Sequence, residues 1–434
     1  MLLVFCQKIT ARLDYAFKHV FETSLGIELS FTTTLDTFIA HSGPKMSYGK
    51  APLGNEFFIE ATDLLFDQGI QEVDINIKEW RDLPCFFEVS EKSKLPFDLF
   101  AASFYLISRY EEYLPHVKDE YGRFLVENSL AHKEKFLQIP LVDHWISFFY
   151  KEFKASFPEL PAPKERKETF LPLVEVVSPY KYRNKSFFRN VYQWCKSIVQ
   201  LNLWEVVEHP LVLLGLRKDP WNTFEEFISM FYKMPFSLRF FFLYSKESYL
   251  DRGISTTNVP FKTLIKGVAD YFEVSLLASY PSRSVGKQLG KERNNLNALI
   301  HRSVKSIRFS WGVTTVNESY RSLLAQEVTA DFSLGYSSVF GYRASTAVPF
   351  FYYDLANEMS TSLMVYPVVA TENAFSALTS IEIIRQIKQF ENSLPLASAV
   401  HCFAISNKVL ENSKENEALR SVFISYLQAH DKKR

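Results

Sequence analysis

The chain has 434 residues, which is too long for one ordinary hydrophobic core and predicts two domains. Hydrophobic residues make up 47% of it and phenylalanine fills 40 positions, so the sequence predicts compact folding and excludes a disordered protein. The chain has 49 basic residues (lysine and arginine) and 49 acidic residues (aspartate and glutamate). This balance excludes a net positive charge that would attract nucleic acid or an anionic membrane.

The first predicted elements alternate between strand and helix. An apolar run from Leu2 to Phe5 predicts a strand, and apolar residues at helical spacing predict a helix from Ile9 to Phe21. Residues 28–34 form the next strand candidate, and a strongly apolar amphipathic helix is predicted at residues 97–113. This order predicts an α/β domain at the N-terminus.

A domain boundary is predicted between Phe157 and Glu168. This segment reads FPELPAPKERKE, and its three prolines and its charge cluster favour an extended linker over a packed element. We therefore predict an N-terminal α/β domain of unknown role at residues 1–160 and a second domain at residues 169–434.

Strand candidates alternate with helical stretches throughout the second predicted domain. Repeated alternation of this kind predicts a parallel sheet or barrel. The strand candidates are Phe170–Val177, Phe236–Leu243, Tyr271–Leu277, Ser306–Trp311, Ala330–Phe332, Ser362–Pro367 and Ser398–Ile405.

Cysteine usage and the N-terminal residues predict a cytoplasmic protein. The four cysteines lie far apart and form no CxxC pair, which argues against a zinc knuckle, a redox motif or a dense disulfide framework. Gln7 and Lys8 interrupt the apolar start before a signal-peptide core forms. No apolar run reaches the roughly 18 residues of a spanning helix, so we predict no membrane-spanning segment.

Long strings in both predicted domains carry a family resemblance. The first domain contains QKITARLDYAF at residues 7–17 and PFDLFAASFYLISRYEEYLPHVKDEYGRF at residues 96–124. The second contains DYFEVSLLASYPS at residues 270–282 and GYRASTAVPFFYYDL at residues 341–355. In this order, the strings resemble bacterial polysaccharide deacetylases of the NodB type (carbohydrate esterase family four) that carry an additional N-terminal domain of uncharacterised role.

The resemblance implies a fold and a chemistry. The implied fold is α/β, an N-terminal α/β domain followed by a distorted (β/α)7 NodB-like barrel, with the site at the C-terminal ends of its strands. The implied chemistry uses a divalent metal held by one Asp and two His, with a separate carboxylate as the base. A late His protonates the departing amine in that mechanism.

The first two family motifs have lost their metal ligands in this sequence. The Asp-x-Asp motif is replaced by Glu175-Val176-Val177, which keeps a carboxylate at the base position but puts valine at a ligand position. The motif Leu-His-Pro-Ser-Tyr is replaced by residues 276–280, with Leu277 at the histidine position and Tyr280 at the end. Neither Val177 nor Leu277 has a lone pair to give a metal.

The later motifs have also lost their histidines. The third ligand position falls on Ser310 or, in a second alignment, on Lys305. The position of the acid histidine falls on Ser406. No histidine pair shows HxH or HxxxH spacing, and only His301 and His401 lie near a motif. The resemblance therefore predicts that no metal is bound and that no cofactor is needed.

Arg343 is retained in the string Gly-Tyr-Arg-Ala-Ser-Thr, and the resemblance implies that it orients the base carboxylate. We expect it to pair with Glu175 as a structural relic, partly buried. The expected cleft is lined by Val177, Leu277, Ser310 and Tyr280.

These observations favour a catalytically inactive homologue. Its expected role is to bind a glycan, a lipid-linked sugar precursor or a protein partner. One alternative is a metal-dependent deacetylase of N-acetylated sugars with a rearranged site that uses Glu175 with His301 or His401. Another is a structural component of a cell-envelope assembly, which a large exposed apolar patch would favour.

Overall fold

The structure is a computed structural model that describes residues 1–163, 170–233, 238–312, 315–376, 378–414 and 416–431. Residues 164–168 of the predicted linker and residues 236–237 of a strand candidate lie outside the described residues. The described strands are β1 Leu2–Cys6, β2 Leu29–Thr32, β3 Lys45–Gly49, β4 Phe57–Glu60, β5 Lys78–Trp80, β6 Leu83–Cys85, β7 Phe170–Val176, β8 Arg239–Phe242, β9 Glu273–Ala278, β10 Ser306–Phe309, β11 Ala330–Asp331, β12 Phe350–Asp354, β13 Met359–Val365, β14 Val368–Thr371 and β15 His401–Ser406.

The described α-helices are α1 Ala11–Lys18, α2 Leu35–Ala40, α3 Leu99–Ile107, α4 Leu130–Lys133, α5 Leu141–Ser156, α6 Phe187–Val199, α7 Leu203–Leu213, α8 Phe224–Phe231, α9 Val259–Ala269, α10 Gly286–Ile300, α11 Val316–Ala325, α12 Glu372–Phe375, α13 Ser380–Asn392 and α14 Glu417–Asp431.

Two compact units divide the chain, and neither is contiguous. The first unit comprises Met1–Phe170, Gly312–Ala370 and Ile387–Cys402, and the second comprises Leu171–Trp311, Thr371–Gln386 and Phe403–Arg434. The first border lies just after the predicted linker. We expected residues 312–370 and 387–402 to belong to the second domain, but both segments belong to the first unit.

The first unit contains a parallel sheet in the order β2-β1-β3-β4, flanked by helices that begin at good capping residues. The Thr10 side chain accepts from the backbone N–H of Leu13 at the start of α1, and Asp98 caps α3 in the same way. Phe17 and Phe100 join the two helices by stacking at a centroid distance of 3.7 Å. The predicted N-terminal α/β architecture is confirmed.

The segment at residues 312–370 joins the first unit through contacts to α1. The Tyr15 hydroxyl donates to the carbonyl of Phe351 at 2.7 Å, and buried Arg12 forms an ion pair with Glu358 in the turn between β12 and β13. These contacts connect residues more than 300 positions apart in the sequence. They explain why this unit is not contiguous.

The second unit is built on the parallel strands β7, β8, β9 and β10, which are neighbours in chain order. Helices α6–α8, α9 and α10 connect them, so the predicted alternation of strand and helix is confirmed. β15 lies on the other side of β7, and the Asn407 side chain after it donates to the carbonyl of Ser178 at 3.1 Å. The ends of β7 and β15 therefore lie together.

Candidate functional site

Glu175 and Arg308 form an ion pair on one face of the second unit's sheet. The strand register and the alternation of side chains place Glu175, Phe241, Leu277 and Arg308 on the same face. In a flat sheet, three strand spacings would separate β7 from β10 by roughly 14 Å. Nevertheless, the Arg308 Nε lies 2.5 Å from the Glu175 Oε1. The sheet is therefore curled, and the pair lies inside the curl.

The expected ligand positions carry apolar side chains at this end of the sheet. Leu277 is fully buried in β9, and Val177 directly follows β7 and is half-buried. Among the described residues, no group of three or more His, Cys, Asp or Glu side chains is arranged to hold a metal ion. The residues present do not fit the metal that the resemblance implied, since such a site needs three protein ligands.

Asp251 brings Ser310 and Tyr280 together. It is 1% exposed and lies in the loop after β8. The Ser310 hydroxyl donates to Asp251 Oδ1 at 2.9 Å, and the backbone N–H of Tyr280 donates to Oδ2 at 2.6 Å. The Ser248 hydroxyl adds a third hydrogen bond at 3.2 Å. One buried carboxylate thus connects the loops that follow β8, β9 and β10.

Glu372 lies beside Ser406 and close enough to Glu175 for their charges to interact. The backbone N–H of Ser406 donates to Glu372 Oε2 at 2.6 Å. Burial raises the pKa of Glu372, and the charge of Glu175 raises it further, whereas Lys408 and the hydrogen bonds from Ser406 oppose the rise. The site therefore contains two carboxyl groups in unequal surroundings, one paired with an arginine and one pushed toward its neutral form.

A cationic and aromatic cluster completes this end of the second unit. The ammonium groups of Lys185 and Lys408 lie 5.2 and 5.0 Å from the centre of the Trp221 ring. Burial, together with the neighbouring charge of Arg189, lowers the pKa of Lys185 to about 7. Carboxylates, hydroxyls, ammonium groups and flat rings are the groups that bind sugar hydroxyls and their apolar faces.

The three alternative positions for a replacement ligand lie elsewhere. Exposed His301 follows α10 and Lys305 precedes β10, so both lie at the N-terminal end of that strand. Lys305 lines a pocket of about 270 Å³ there together with Glu273 and Arg302. His401 is the first residue of β15, whereas Ser406 is the last. The alternative in which His301 or His401 completes a rearranged site does not fit, because each lies at the opposite end of its strand.

Arg343 has a different partner from the one expected. Its Nε and Nη2 donate to the two carboxylate oxygens of Glu112 at 2.9 and 2.8 Å, within the first unit. Glu175 instead pairs with Arg308. The expected pair of Arg343 and Glu175 is therefore wrong. Arg343 also lines a pocket of about 100 Å³ in the first unit with Arg123 and Tyr336.

Sequence reasoning missed three residues of the site, which are Arg308, Asp251 and Glu372. Asp251 follows β8 and Glu372 follows β14, so the rule that sites lie after strand ends would have pointed to both. No comparable signal marks Arg308, because its role depends on the curl of the sheet.

Comparison with family models matches residues 2–158 to a family of unknown function, DUF7033. The match covers the N-terminal residues and gives no activity for them. No curated protein matches this chain.

Several solved structures match about three fifths of the chain at low identity. One is described as a "putative polysaccharide deacetylase from Mycobacterium smegmatis", with 10% identity, a TM-score of 0.36, and coverage of 62% of this chain and 88% of that one. Another is a 4-alpha-glucanotransferase from Thermococcus litoralis, with 10% identity, a TM-score of 0.36, and coverage of 61% and 38%. A third is a BA3943 mutant, a CE4 family pseudoenzyme with restored enzymatic activity, with 8% identity, a TM-score of 0.26, and coverage of 61% and 64%.

Proposed function

We propose that the second unit is a deacetylase-like barrel that holds no metal and binds an N-acetylated glycan or a lipid-linked sugar precursor at the C-terminal ends of its strands. The observation that carries this proposal is the environment of Glu175. The carboxylate at the base position is neutralised by Arg308, and Val177 and Leu277 stand where ligands are needed. What remains is a polar, partly exposed surface with Tyr280, Glu372 and Trp221.

The test is a calorimetric titration with the tetramer of N-acetylglucosamine, together with measurement of released acetate. We expect binding without acetate release. Tyr280→Ala should weaken binding by about tenfold, because it removes an aromatic ring from the proposed surface. Tyr271→Ala is the matched control, since Tyr271 precedes β9 and Tyr280 follows it. Equal effects of the two variants would contradict the proposed location.

A second candidate function is metal-independent hydrolysis of a glycan. It is favoured by the pair of Glu175 and Glu372, because two carboxyl groups in unequal surroundings suit general base and general acid roles. In the same experiment, this candidate predicts that reducing sugar or acetate appears without added metal and disappears in Glu372→Gln. The binding proposal predicts neither product in the wild-type protein.

A further inference from the structure

Helices α6 and α7 form a hairpin in the second unit that turns its apolar side chains outward. We call this surface the apolar hairpin face, and it is defined by Phe187, Phe188, Val199, Leu201, Leu203 and Trp204. Each of these side chains is between 61% and 84% exposed. Leu214 and Leu216, just after α7, are each 74% exposed. Contiguous apolar surface of this kind marks a contact site.

The polar side chains of the same hairpin face inward. The Ser197 hydroxyl donates to Glu205 Oε2 at 2.9 Å, and the Lys181 ammonium lies 3.1 Å from Glu205 Oε1. Buried Glu208 accepts a hydrogen bond from the Tyr182 hydroxyl at 3.1 Å. A helix on a protein surface normally packs its apolar side on the core and exposes its polar side to water, and here the two sides are exchanged. The hairpin is therefore built to meet an apolar environment on its outer side.

The charge of the hairpin indicates what that environment is. No acidic residue occurs between Glu175 and Glu205, whereas this interval contains five basic residues. Lys181 and Arg189 pair with Glu205 and Glu247 and are partly buried, whereas Arg183 and Lys196 are exposed. Large apolar side chains bordered by basic ones, with tryptophan and tyrosine among them, are typical of helices that lie at a membrane surface.

A second copy of the chain fits this face less well than a bilayer does. In a twofold interface each patch meets itself, so the exposed basic residues Arg183 and Lys196 of the two copies would be brought into one interface. Anionic lipid headgroups would instead neutralise them. No helix of the described residues is long and apolar enough to cross a bilayer.

We propose that the α6–α7 hairpin docks the protein on a bilayer that contains anionic lipid, with its apolar face at the boundary of headgroups and acyl chains. The hairpin follows β7 directly, and Lys181 at its base lies 3.5 Å from Glu411, which accepts from the Trp221 indole at 3.1 Å. Docking would therefore bring the C-terminal ends of the strands to the membrane surface. This inference does not depend on the proposed glycan binding.

The test is cosedimentation of the full chain with vesicles of phosphatidylcholine alone and with vesicles in which about a third of the lipid is phosphatidylglycerol. We expect binding to the anionic vesicles, weakened at least about tenfold in Phe188→Ser/Trp204→Ser because two apolar side chains no longer insert. Lys196→Glu should weaken it by about tenfold on anionic vesicles only. The matched control is Tyr249→Ser, which alters a residue 85% exposed outside the hairpin and should bind as the wild type does.

Absence of vesicle binding by the folded wild-type chain would overturn the proposal, as would equal binding by the double variant. Sedimentation velocity without vesicles tests whether a second copy of the chain covers this face instead. A wild-type dimer that dissociates in Phe188→Ser/Trp204→Ser, together with no vesicle binding, would assign the face to contact between copies of the chain and would also overturn membrane docking.

Discussion

Replacing Glu112 by glutamine is expected to lower the free energy of unfolding by about 3–5 kcal/mol, because it removes the carboxylate charge that two buried arginines share. Arg109 keeps its second ion pair, with Glu111 at 2.7 Å. Arg343 makes two hydrogen bonds to Glu112, and Arg109 Nε lies 2.7 Å from Glu112 Oε1. All three side chains are at most 4% exposed. Urea denaturation at neutral pH measures the change.

The same carboxylate should make the protein sensitive to acid. Burial by itself would raise the pKa of Glu112, but the charges of Arg343 and Arg109 outweigh burial and hold that pKa at about 2. Because the folded pKa lies below the ordinary value of 4.5, this stabilisation is complete above about pH 4.5 and is lost as the pH falls through about 2. Glu152→Gln, which breaks the exposed pair with Arg81, is the control and should cost less than about 1 kcal/mol. Similar losses in the two variants would contradict the account of Glu112.

Glu175→Gln is expected to cost about 3–5 kcal/mol, because it removes the carboxylate charge that pairs with buried Arg308 inside the curled sheet. Arg308 is 2% exposed and Glu175 is 20% exposed. The double variant Glu175→Gln/Arg308→Met should be clearly more stable than the sum of the two single losses predicts, with a coupling energy above about 1 kcal/mol. Urea denaturation of the four proteins gives this cycle.

The pair of Arg239 and Glu273 provides a matched control in the same sheet. It joins two neighbouring strands, β8 and β9, and Glu273 is 44% exposed, so Glu273→Gln should cost less than about 1 kcal/mol. Strictly additive losses in the Glu175 and Arg308 cycle would mean that the two residues do not interact inside the curl, and the assigned geometry of the site would be wrong.

Local patterns in the sequence were sufficient to predict most of the strands. The alternation of apolar runs with helical spacing located β1, β7 and β9, because each pattern depends on a few neighbouring residues. The interleaving of the two units was not predictable in this way. It depends on contacts such as that of Glu112 with Arg343, which are 231 residues apart.

Of the predicted cleft residues, the structure joins two that follow strand ends through one buried carboxylate. Tyr280 and Ser310 follow β9 and β10, and the structure joins both to Asp251. Arg343 was misplaced because a family motif gives the identity of a residue but not its partner. The role of Arg308 could not be read at all, since its ion pair with Glu175 spans 133 residues and requires a curled sheet.

The central claim is that the curled sheet of the second unit holds no catalytic metal. Its most direct test is the metal content of the purified protein, measured by mass spectrometry after loading with zinc, cobalt or nickel and desalting. We predict metal far below a stoichiometric amount in a folded sample, because Val177 and Leu277 offer no ligand and no described cluster replaces them. A stoichiometric ion that is lost in Glu175→Gln or Asp251→Asn would contradict the account and would identify the residues that hold it.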